Sequence, residues 1–288
     1  MPIYNGAAHL AQAIASILAQ SFRDVELILC DNASTDGTEE ICRRYLAADT
    51  RVRYHRQPEN IGAPRNYNMT FALSRGSYFK WASANDYCDK EFLADCVAVL
   101  DQRRDVVVVC PLTRLHYGDT TVDESQGMEL AEASACARFK AFLHRIQLNN
   151  VFNGLIRADA LRRTSLQHKY YGSDVVLMSE LSLHGKFAVV PRLHFHRRMD
   201  SATASKFFSD AQREQMMDPK RENSLLFQNW REDQGYFAAV WRARPPWAER
   251  LCLYRYLTRH VIRNRANLAA DVREAGRRLL GAGPLDSR

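Results

Sequence analysis

The feature that most restricts the fold of this chain is an alternation of short apolar runs with helical segments between residues 5 and 110. "VELILC" at 25–30 and "VVVVC" at 106–110 are apolar and β-favouring, as buried parallel strands are. Between them, segments such as "TEEICRRYLA" carry apolar residues at helical spacing. Strands that alternate with helices predict an α/β fold with a mainly parallel sheet, right-handed crossovers and flanking helices.

The pattern becomes less regular after residue 110. The next segments are predicted as a polar turn-rich stretch, a helix, a strand, a helix and a mobile loop, at 111–128, 129–147, 150–157, 173–185 and 200–208. The remainder is helical and rich in arginine. We therefore expect an α/β domain over residues 1–215 and a basic helical extension over 216–288. The first turn, at Asn5 and Gly6, follows almost no strand, so the sequence looks clipped at its start.

Cysteine usage and hydropathy limit the kind of protein. The seven cysteines are scattered and odd in number, and none forms a CxxC pair. We therefore expect reduced thiols in a cytoplasmic protein, with neither a disulfide framework nor a zinc site. No run approaches the roughly 18 uncharged apolar residues of a membrane-spanning helix, and no signal peptide is visible.

The net charge of +7 comes from the C-terminal part of the chain. Residues 1–218 hold 26 Lys and Arg against 26 Asp and Glu, whereas residues 219–288 hold 14 against 7. Within the latter, residues 247–281 combine apolar positions at helical spacing with arginines. Such a segment either lies on an anionic membrane surface or packs on its own domain, and both interpretations stay open. Nucleic-acid binding is not expected, because the neutral body offers no basic groove.

Three polar clusters fall where strands of the predicted sheet end, which is where open α/β sheets bind ligands. They are "YNG" at 4–6, "DNASTDG" at 31–37 and "SANDY" at 83–87. No GxGxxG motif lies between a strand and a helix, so the sequence does not predict a nicotinamide-dinucleotide enzyme.

Five segments resemble successive motifs of the family 2 glycosyltransferases, which have the GT-A fold. They are "PIYNG", "LILCDNASTDGT", "ENIGAPRNYN", "YFKWASANDYCDKEFL" and "GSDVVLMSELSLHGKF", and together they span residues 2–198. The resemblance implies a Rossmann-like GT-A domain with a mixed sheet. It also implies an inverting transfer from a nucleotide-diphosphate sugar, with a UDP-sugar as the expected donor, to a hydroxyl of a glycan or lipid-linked acceptor.

The same resemblance assigns roles to single residues. Asp31 is expected to bind the nucleotide base. Asn85 and Asp86 take the place of the DxD-like element, which binds ribose, diphosphate and a divalent metal, Mg²⁺ or Mn²⁺. Asp174 is expected to deprotonate the acceptor hydroxyl. Further contacts to the nucleotide-sugar are assigned to Tyr4, Asn5, Asn60 and Arg65, with Arg65 facing the phosphates.

An asparagine at position 85 raises the question of which residue holds the metal. A pair of unit charges about 4 Å apart is worth roughly 4 kcal/mol at an effective dielectric of 20, so replacing a direct metal ligand by a neutral amide is costly. Replacing an acceptor of a ribose hydroxyl costs only about 1 kcal/mol, because the amide oxygen still accepts. We therefore assign Asn85 to the ribose and Asp86 to the metal; Mg²⁺ commonly takes one or two carboxylates and completes its shell with phosphates and water.

Each assignment has a structural alternative. Asp31 can simply stabilise a turn, and a carboxylate such as Asp174 is favoured at a helix start whatever its function. We expect Ser173 to be the N-cap of that helix, which leaves Asp174 free for catalysis. His194 and His196 alternate along a predicted strand and are interpreted as packing or rim residues rather than ligands.

Two other functions stay open at this point. A GT-A domain without catalytic activity would bind a nucleotide, a glycan or a partner protein. A nucleotidyltransferase of the same fold would carry a Gly-rich basic loop after the first strand, and none is found. If residues 247–281 touch a membrane, we expect contact with the inner face of the cytoplasmic membrane.

Overall fold

Strands and helices alternate in the computed structural model, which describes residues 1–199, 208–220 and 226–279. The strands are Pro2–Ile3 (β1), Leu27–Asp31 (β2), Val52–Arg56 (β3), Tyr78–Phe79 (β4), Tyr87–Cys88 (β5), Val106–Tyr117 (β6), Thr120–Asp123 (β7), Leu155–Arg157 (β8) and Lys186–Arg198 (β9). The helices are Ala7–Leu18 (α1), Thr38–Ala48 (α2), Ala63–Ala72 (α3), Phe92–Gln102 (α4), Ala135–Arg145 (α5), Ala158–Leu161 (α6), Ser173–His184 (α7), Asp210–Met217 (α8), Gln228–Ala243 (α9), Trp247–Arg263 (α10) and Arg265–Leu279 (α11).

The strands form two sheets. The first has the order β1-β2-β3 and is parallel throughout. The second has the order β4-β8-β6-β9-β5, with β7 paired to β6. Its β6–β9 pair is parallel, and its remaining pairs are antiparallel. The predicted mixed α/β class is confirmed: the N-terminal sheet is parallel throughout, and the second sheet combines a long parallel β6–β9 pair with antiparallel pairs.

The apolar patterns of the sequence become the core of the N-terminal half. All five residues of β2 are buried, as expected for a strand covered on both faces. Helix α1 buries Leu10, Ala13, Ile14 and Ile17 along one stripe, and these side chains pack with β2 and α4 in one apolar cluster. Helical spacing thus directs one face of each flanking helix to the sheet.

The C-terminal helices pack on the α/β part through α5 and α7. Tyr236 of α9 and Leu253 and Leu257 of α10 join Phe139 of α5 in one buried apolar cluster. This face of α10 fits the interpretation that the extension packs on its own domain. A domain boundary at residue 215 stays a prediction. None of the helices in the described ranges is both long and apolar enough to cross a bilayer.

Two segments differ from the sequence prediction. The stretch expected to be turn-rich, 111–128, contains the end of β6 and all of β7, whose four residues are exposed and therefore lack an apolar signal. The strand expected over 150–157 begins only at Leu155, because Asn150–Asn153 form a 3₁₀ turn. The loop predicted at 200–208 lies, except for Phe208, outside the described residues.

The prediction that all cysteines are reduced is wrong for one pair. Cys136 of α5 and Cys252 of α10 form a disulfide across 116 residues of sequence, with their Cα atoms 6.5 Å apart. The other five cysteines are free and buried. The cytoplasmic location therefore loses the support of the thiol argument and stays a prediction.

Candidate active site

The turns that follow β1 and β2 are joined by the backbone and side chain of Asn5. Its φ of 49° lies in the left-handed region, which asparagine tolerates better than most residues. Its Oδ1 accepts from the backbone N–H of Thr35 at 2.9 Å, and its own N–H donates to Ser34 Oγ at 2.9 Å. Asn5 therefore fixes the shape of this edge of the sheet, whereas the neighbouring Tyr4 leaves 45% of its surface exposed for a ligand.

Asp31 ends β2 and is fully buried. Its Oδ1 accepts from the backbone N–H of Ser34 at 2.9 Å. Its Oδ2 accepts from the Tyr54 hydroxyl at 2.9 Å and from Arg56 Nη1 at 2.6 Å. Burial, followed by this carboxylate, raises the pKa of Tyr54. A nucleotide base that pairs with Asp31 must therefore replace or join one of these donors.

Tyr54 and Arg56 were not foreseen from the sequence. Both lie on β3, whose parallel register places Arg56 directly opposite Asp31. The side chain of Arg56 is 33% exposed while that of Asp31 is 0% exposed, so Arg56 is the donor that solvent and ligand can reach. In the sequence, Tyr54 and Arg56 lie two residues apart in "VRYHR", and therefore on the same face of a strand. This spacing does not point to Asp31 unless the pairing of β3 with β2 is known.

Asn60 closes the loop between β3 and α3. Its Oδ1 accepts from Asn32 Nδ2 at 2.7 Å and from the backbone N–H of Gly62 at 2.9 Å. Arg65 is exposed in the first turn of α3. The pKa of Asp218, just after α8, is lowered: burial acts to raise it, but a hydrogen bond from Lys169 and, more weakly, the charge of Arg65 lower it.

Asp86 lies between β4 and β5 and is only 9% exposed. Its Oδ1 accepts from the backbone N–H of Arg198 at 2.9 Å, at the end of β9. The guanidinium of Arg198 also donates to the backbone oxygen of Asn85. Burial raises the pKa of Asp86, against the Arg198 hydrogen bond and the charges of Arg197 and Lys80. The charges of Arg197 and Lys80 thus act on the buried carboxylate, and Arg198 contacts it through its backbone N–H; the sequence analysis singled out none of the three.

Asp174 lies in the first turn of α7 and is half-buried. Its Oδ2 accepts from Asn149 Nδ2 at 2.9 Å, which fixes the orientation of the carboxylate. The N-cap is Gly172 rather than the predicted Ser173, because Gly172 takes the left-handed conformation at φ 89°. Ser173 is buried in the helix instead. Asp174 therefore reaches its position through a glycine turn and not through a side-chain cap.

Hydrogen bonds of neighbouring residues bring Asp86 and Asp174 into one region. Asn149 Nδ2 donates to Asp174 Oδ2 at 2.9 Å, and Arg197 Nη1 donates to Oδ1 of the adjacent Asn150 at 2.8 Å. The next residue, Arg198, donates its N–H to Asp86 Oδ1 at 2.9 Å.

Burial raises the pKa of Tyr67 on α3 to about 12, and the charges of Asp86 and Asp174 raise it in the same direction while Arg197 lowers it. Charge effects of this kind require proximity. The predicted metal ligand Asp86, the predicted base Asp174 and Arg197 thus all affect the pKa of Tyr67, although they lie in separate segments of the chain.

The described side chains around Asp86 supply too few ligands to hold a metal ion without a bound substrate. No group of three or more His, Cys, Asp and Glu side chains within the described ranges is arranged to hold a metal ion. The buried, single carboxylate of Asp86 nevertheless fits Mg²⁺ or Mn²⁺ if phosphate oxygens and water supply the other ligands.

The rings of His194 and His196 are engaged elsewhere. His196 Nε2 lies 3.0 Å from Asp89 Oδ1 and its Nδ1 lies 3.1 Å from His116 Nε2. His194 Nδ1 lies 3.4 Å from Asp89 Oδ2, and its Nε2 lies 3.2 Å from Asp95 Oδ2. Both histidines thus share one face of β9 and bind neighbouring side chains, as packing residues do.

The sequence is similar to known glycosyltransferases over part of its length. Residues 1–165 match the model of the family "Glycosyl transferase family 2". Glycosyltransferase GlyG of Streptococcus pneumoniae is 33% identical over 109 residues, which are 38% of this chain and 36% of GlyG. Such matches span 35%, 36% and 40% of three curated relatives, so the chain aligns with little more than a third of their length.

Two solved structures share the fold. S. aureus TarS 1-349 in complex with UDP-GlcNAc has a TM-score of 0.55 at 15% identity, covering 91% of this chain and 90% of TarS. The mannosyltransferase PcManGT from Pyrobaculum calidifontis, in complex with GDP-Man and Mn²⁺, has a TM-score of 0.54 at 16% identity, covering 99% of this chain and 74% of PcManGT. At these identities the likeness establishes the GT-A fold.

Proposed function

Because the chain belongs to glycosyl transferase family 2, we propose that it transfers a sugar from a UDP-sugar to a hydroxyl of a glycan or lipid-linked acceptor, with inversion at the anomeric carbon. The observation that carries the proposal is the set of hydrogen bonds that links Asp174 to Asn149 and, through the adjacent Asn150 and the Arg197–Arg198 pair, to Asp86. A UDP-sugar donor is supported by the fold shared with TarS, which was solved with UDP-GlcNAc.

Asp174 acts as the general base. Its carboxylate takes the proton of the acceptor hydroxyl while the hydroxyl oxygen bonds to the anomeric carbon. The bond between that carbon and the diphosphate oxygen breaks on the opposite face, which inverts the configuration. Asn149 holds Oδ2 of Asp174 at 2.9 Å and thereby orients the carboxylate toward the acceptor.

The diphosphate binds beside Asp86, where Arg197 and Lys80 supply positive charge. Arg197 and Lys80, whose charges act on Asp86, attract the departing anion. Asp86 would hold Mg²⁺ or Mn²⁺ together with the donor phosphates, and an ion bound there would supply positive charge to offset that of the leaving group. The neutral amide of Asn85 is suited to a ribose hydroxyl. The base lies toward Asp31, with Tyr4, Asn60 and Arg65 along the same edge.

A thermal-shift series tests the nucleotide and metal site. UDP or UDP-GlcNAc with Mn²⁺, at about 100 times Kd, is expected to raise Tm by about 5 °C, because a ligand that binds only the folded state stabilises it. Asp86→Ala should abolish the part of the shift that needs Mn²⁺. The matched control is Asp24→Ala, which removes an exposed carboxylate. No shift with UDP, UDP-GlcNAc or GDP-Man, with or without Mn²⁺, would contradict the proposal.

The assignment of Asp31 to the base has its own test. Asp31→Asn is expected to weaken UDP binding about tenfold, because the carboxylate that accepts from the base imide is replaced by a neutral amide. Titration calorimetry below Tm measures it. Tyr54→Phe is the control for lost stability: it removes the hydrogen bond from the Tyr54 hydroxyl to Asp31 but keeps the carboxylate. If both variants lower Tm alike and UDP affinity stays unchanged, Asp31 serves the turn and not the base.

Contact with a membrane surface completes the proposal, since a lipid-linked acceptor lies at such a surface. Its support is the basic outer side of α10, which faces away from the apolar cluster shared by α5, α7, α9 and α10.

A further inference from the structure

An open pocket of about 740 Å³ lies between α5 and α10, away from the residues proposed for catalysis. Four cations line it, Lys140 of α5 and Arg255, Arg259 and Arg263 of α10, and none of the described residues that line it is a carboxylate. The rest of the lining is Leu251, Ile262, Ala248, Cys252 and Tyr256. The four cations, Leu251, Ile262 and Trp247 form what we call the α10 outer face.

No carboxylate among the residues that the structure describes neutralises the cations of the α10 outer face. Arg255, Arg259 and Arg263 are exposed, and none makes an ion pair within the described ranges. Like charges four residues apart on a helix repel one another. Lys140 lies 2.9 Å from Cys252 Sγ and 5.6 Å from the Tyr256 ring centre, so it too faces the pocket without an acidic partner. The pocket is therefore complementary to an anion.

Apolar side chains of the same face point to a lipid rather than a soluble anion. Trp247 is 72% exposed, Leu251 49% and Ile262 55%, whereas Leu253 and Leu257 on the inner side are buried. Helix α10 thus has one apolar stripe for its own domain and a second, mixed with arginine, that no other described part of the chain covers. Tryptophan and long basic side chains are the residues that settle at the level of lipid headgroups.

We propose that the α10 outer face docks on a bilayer of anionic phospholipids, with a lipid phosphate in the pocket and Trp247, Leu251 and Ile262 entering the interface. The inference rests on the membrane contact of the proposed function and names its partner and its residues. Anionic headgroups attract clustered Lys and Arg at short range, and the apolar side chains add buried area.

Co-sedimentation of the full chain with vesicles tests the proposal. We expect binding to phosphatidylcholine vesicles that contain phosphatidylglycerol and not to phosphatidylcholine alone. Arg255→Glu/Arg259→Glu should lower partitioning at least about tenfold, since each basic residue near the surface adds a several-fold increment. Arg44→Glu/Arg104→Glu makes the same charge change on exposed arginines of the α/β part and should bind as the wild type does.

A second variant separates lipid docking from binding of any polyanion. Leu251→Gln/Ile262→Gln keeps the charges and is expected to lower vesicle partitioning while leaving retention on a heparin column unchanged. Equal vesicle binding by this variant and the wild type, or equal loss in both arginine pairs, overturns the proposal. The UDP and Mn²⁺ thermal shift of each variant reports on folding and on the catalytic site, so failure of docking and failure of the proposed function are distinguishable.

Discussion

Asp174→Asn is expected to lower the turnover number by about a thousandfold, within the roughly 10²–10⁴ range of general base catalysis. An amide has the shape of the carboxylate and can keep the contact with Asn149 Nδ2, but it cannot take the proton of the acceptor hydroxyl. Donor binding should persist, because the carboxylate acts on the acceptor. The measurement is release of UDP from UDP-GlcNAc with a panel of saccharide acceptors, alongside the thermal shift by UDP and Mn²⁺.

The control for this variant is another carboxylate at a helix start. Asp159 lies in the first turn of the four-residue helix α6 and is exposed, so Asp159→Asn makes the same exchange of a first-turn carboxylate outside the proposed site. It should leave turnover within about twofold of the wild type. An Asp174→Asn enzyme as active as Asp159→Asn would return Asp174 to a purely structural role.

Arg242→Ala is expected to lower the free energy of unfolding by about 3 kcal/mol, which is a fall in Tm of roughly 6–12 °C. Glu180 of α7 is fully buried, and its Oε1 accepts from Arg242 Nη1 of α9 at 2.7 Å. Its Oε2 accepts from the N–H and the hydroxyl of Ser165, each at 3.2 Å. Removing the guanidinium leaves a buried charge that only neutral donors hold.

This loss depends on pH in a defined direction. Burial raises the pKa of Glu180, and the hydrogen bond and charge of Arg242 oppose that rise. Without Arg242 the pKa of the folded state rises further above that of the unfolded chain. The free energy of unfolding then falls as the pH rises between the two values, since the unfolded chain loses its proton first. Chemical denaturation at about pH 5 and about pH 8 should show the larger defect at the higher pH.

Two further variants test whether the loss of stability in Arg242→Ala comes from the unpaired charge of Glu180. Glu180→Gln/Arg242→Ala should recover part of the stability, because the unpaired charge is gone, and its pH dependence should disappear. Arg273→Ala, on the exposed surface of α11, should change the free energy of unfolding by no more than about 0.5 kcal/mol. A double variant as unstable and as pH-dependent as Arg242→Ala would show that the ion pair is not the cause.

Local patterns in the sequence predicted the elements that depend on local burial. The apolar run that ends at Asp31 became β2, and the segment predicted as a helix over 173–185 became α7. Asp174 was therefore placed correctly at a helix start. Its cap was not, because the conformation of Gly172 depends on the loop before it and not on any hydrogen-bonding side chain.

Contacts that depend on tertiary structure could not be read from the sequence. Arg56 meets Asp31 only through the register of β2 and β3, and Arg198 meets Asp86 across 112 residues of sequence. Each is an ordinary basic residue in its own segment. The motifs of the family pointed to the carboxylates of the proposed site, whereas the basic residues near them were visible only in the folded structure.

The disulfide between Cys136 and Cys252 makes part of the chain a closed ring, and Asp174 lies inside that ring. If a protease cuts the backbone once between the two cysteines, the two fragments stay covalently joined until a thiol reductant separates them. Nicked and intact protein would therefore have the same mass, apart from one added water, and migrate as separate species only after reduction. The ring thus keeps the proposed base and the α10 outer face in one covalent unit after a first cleavage.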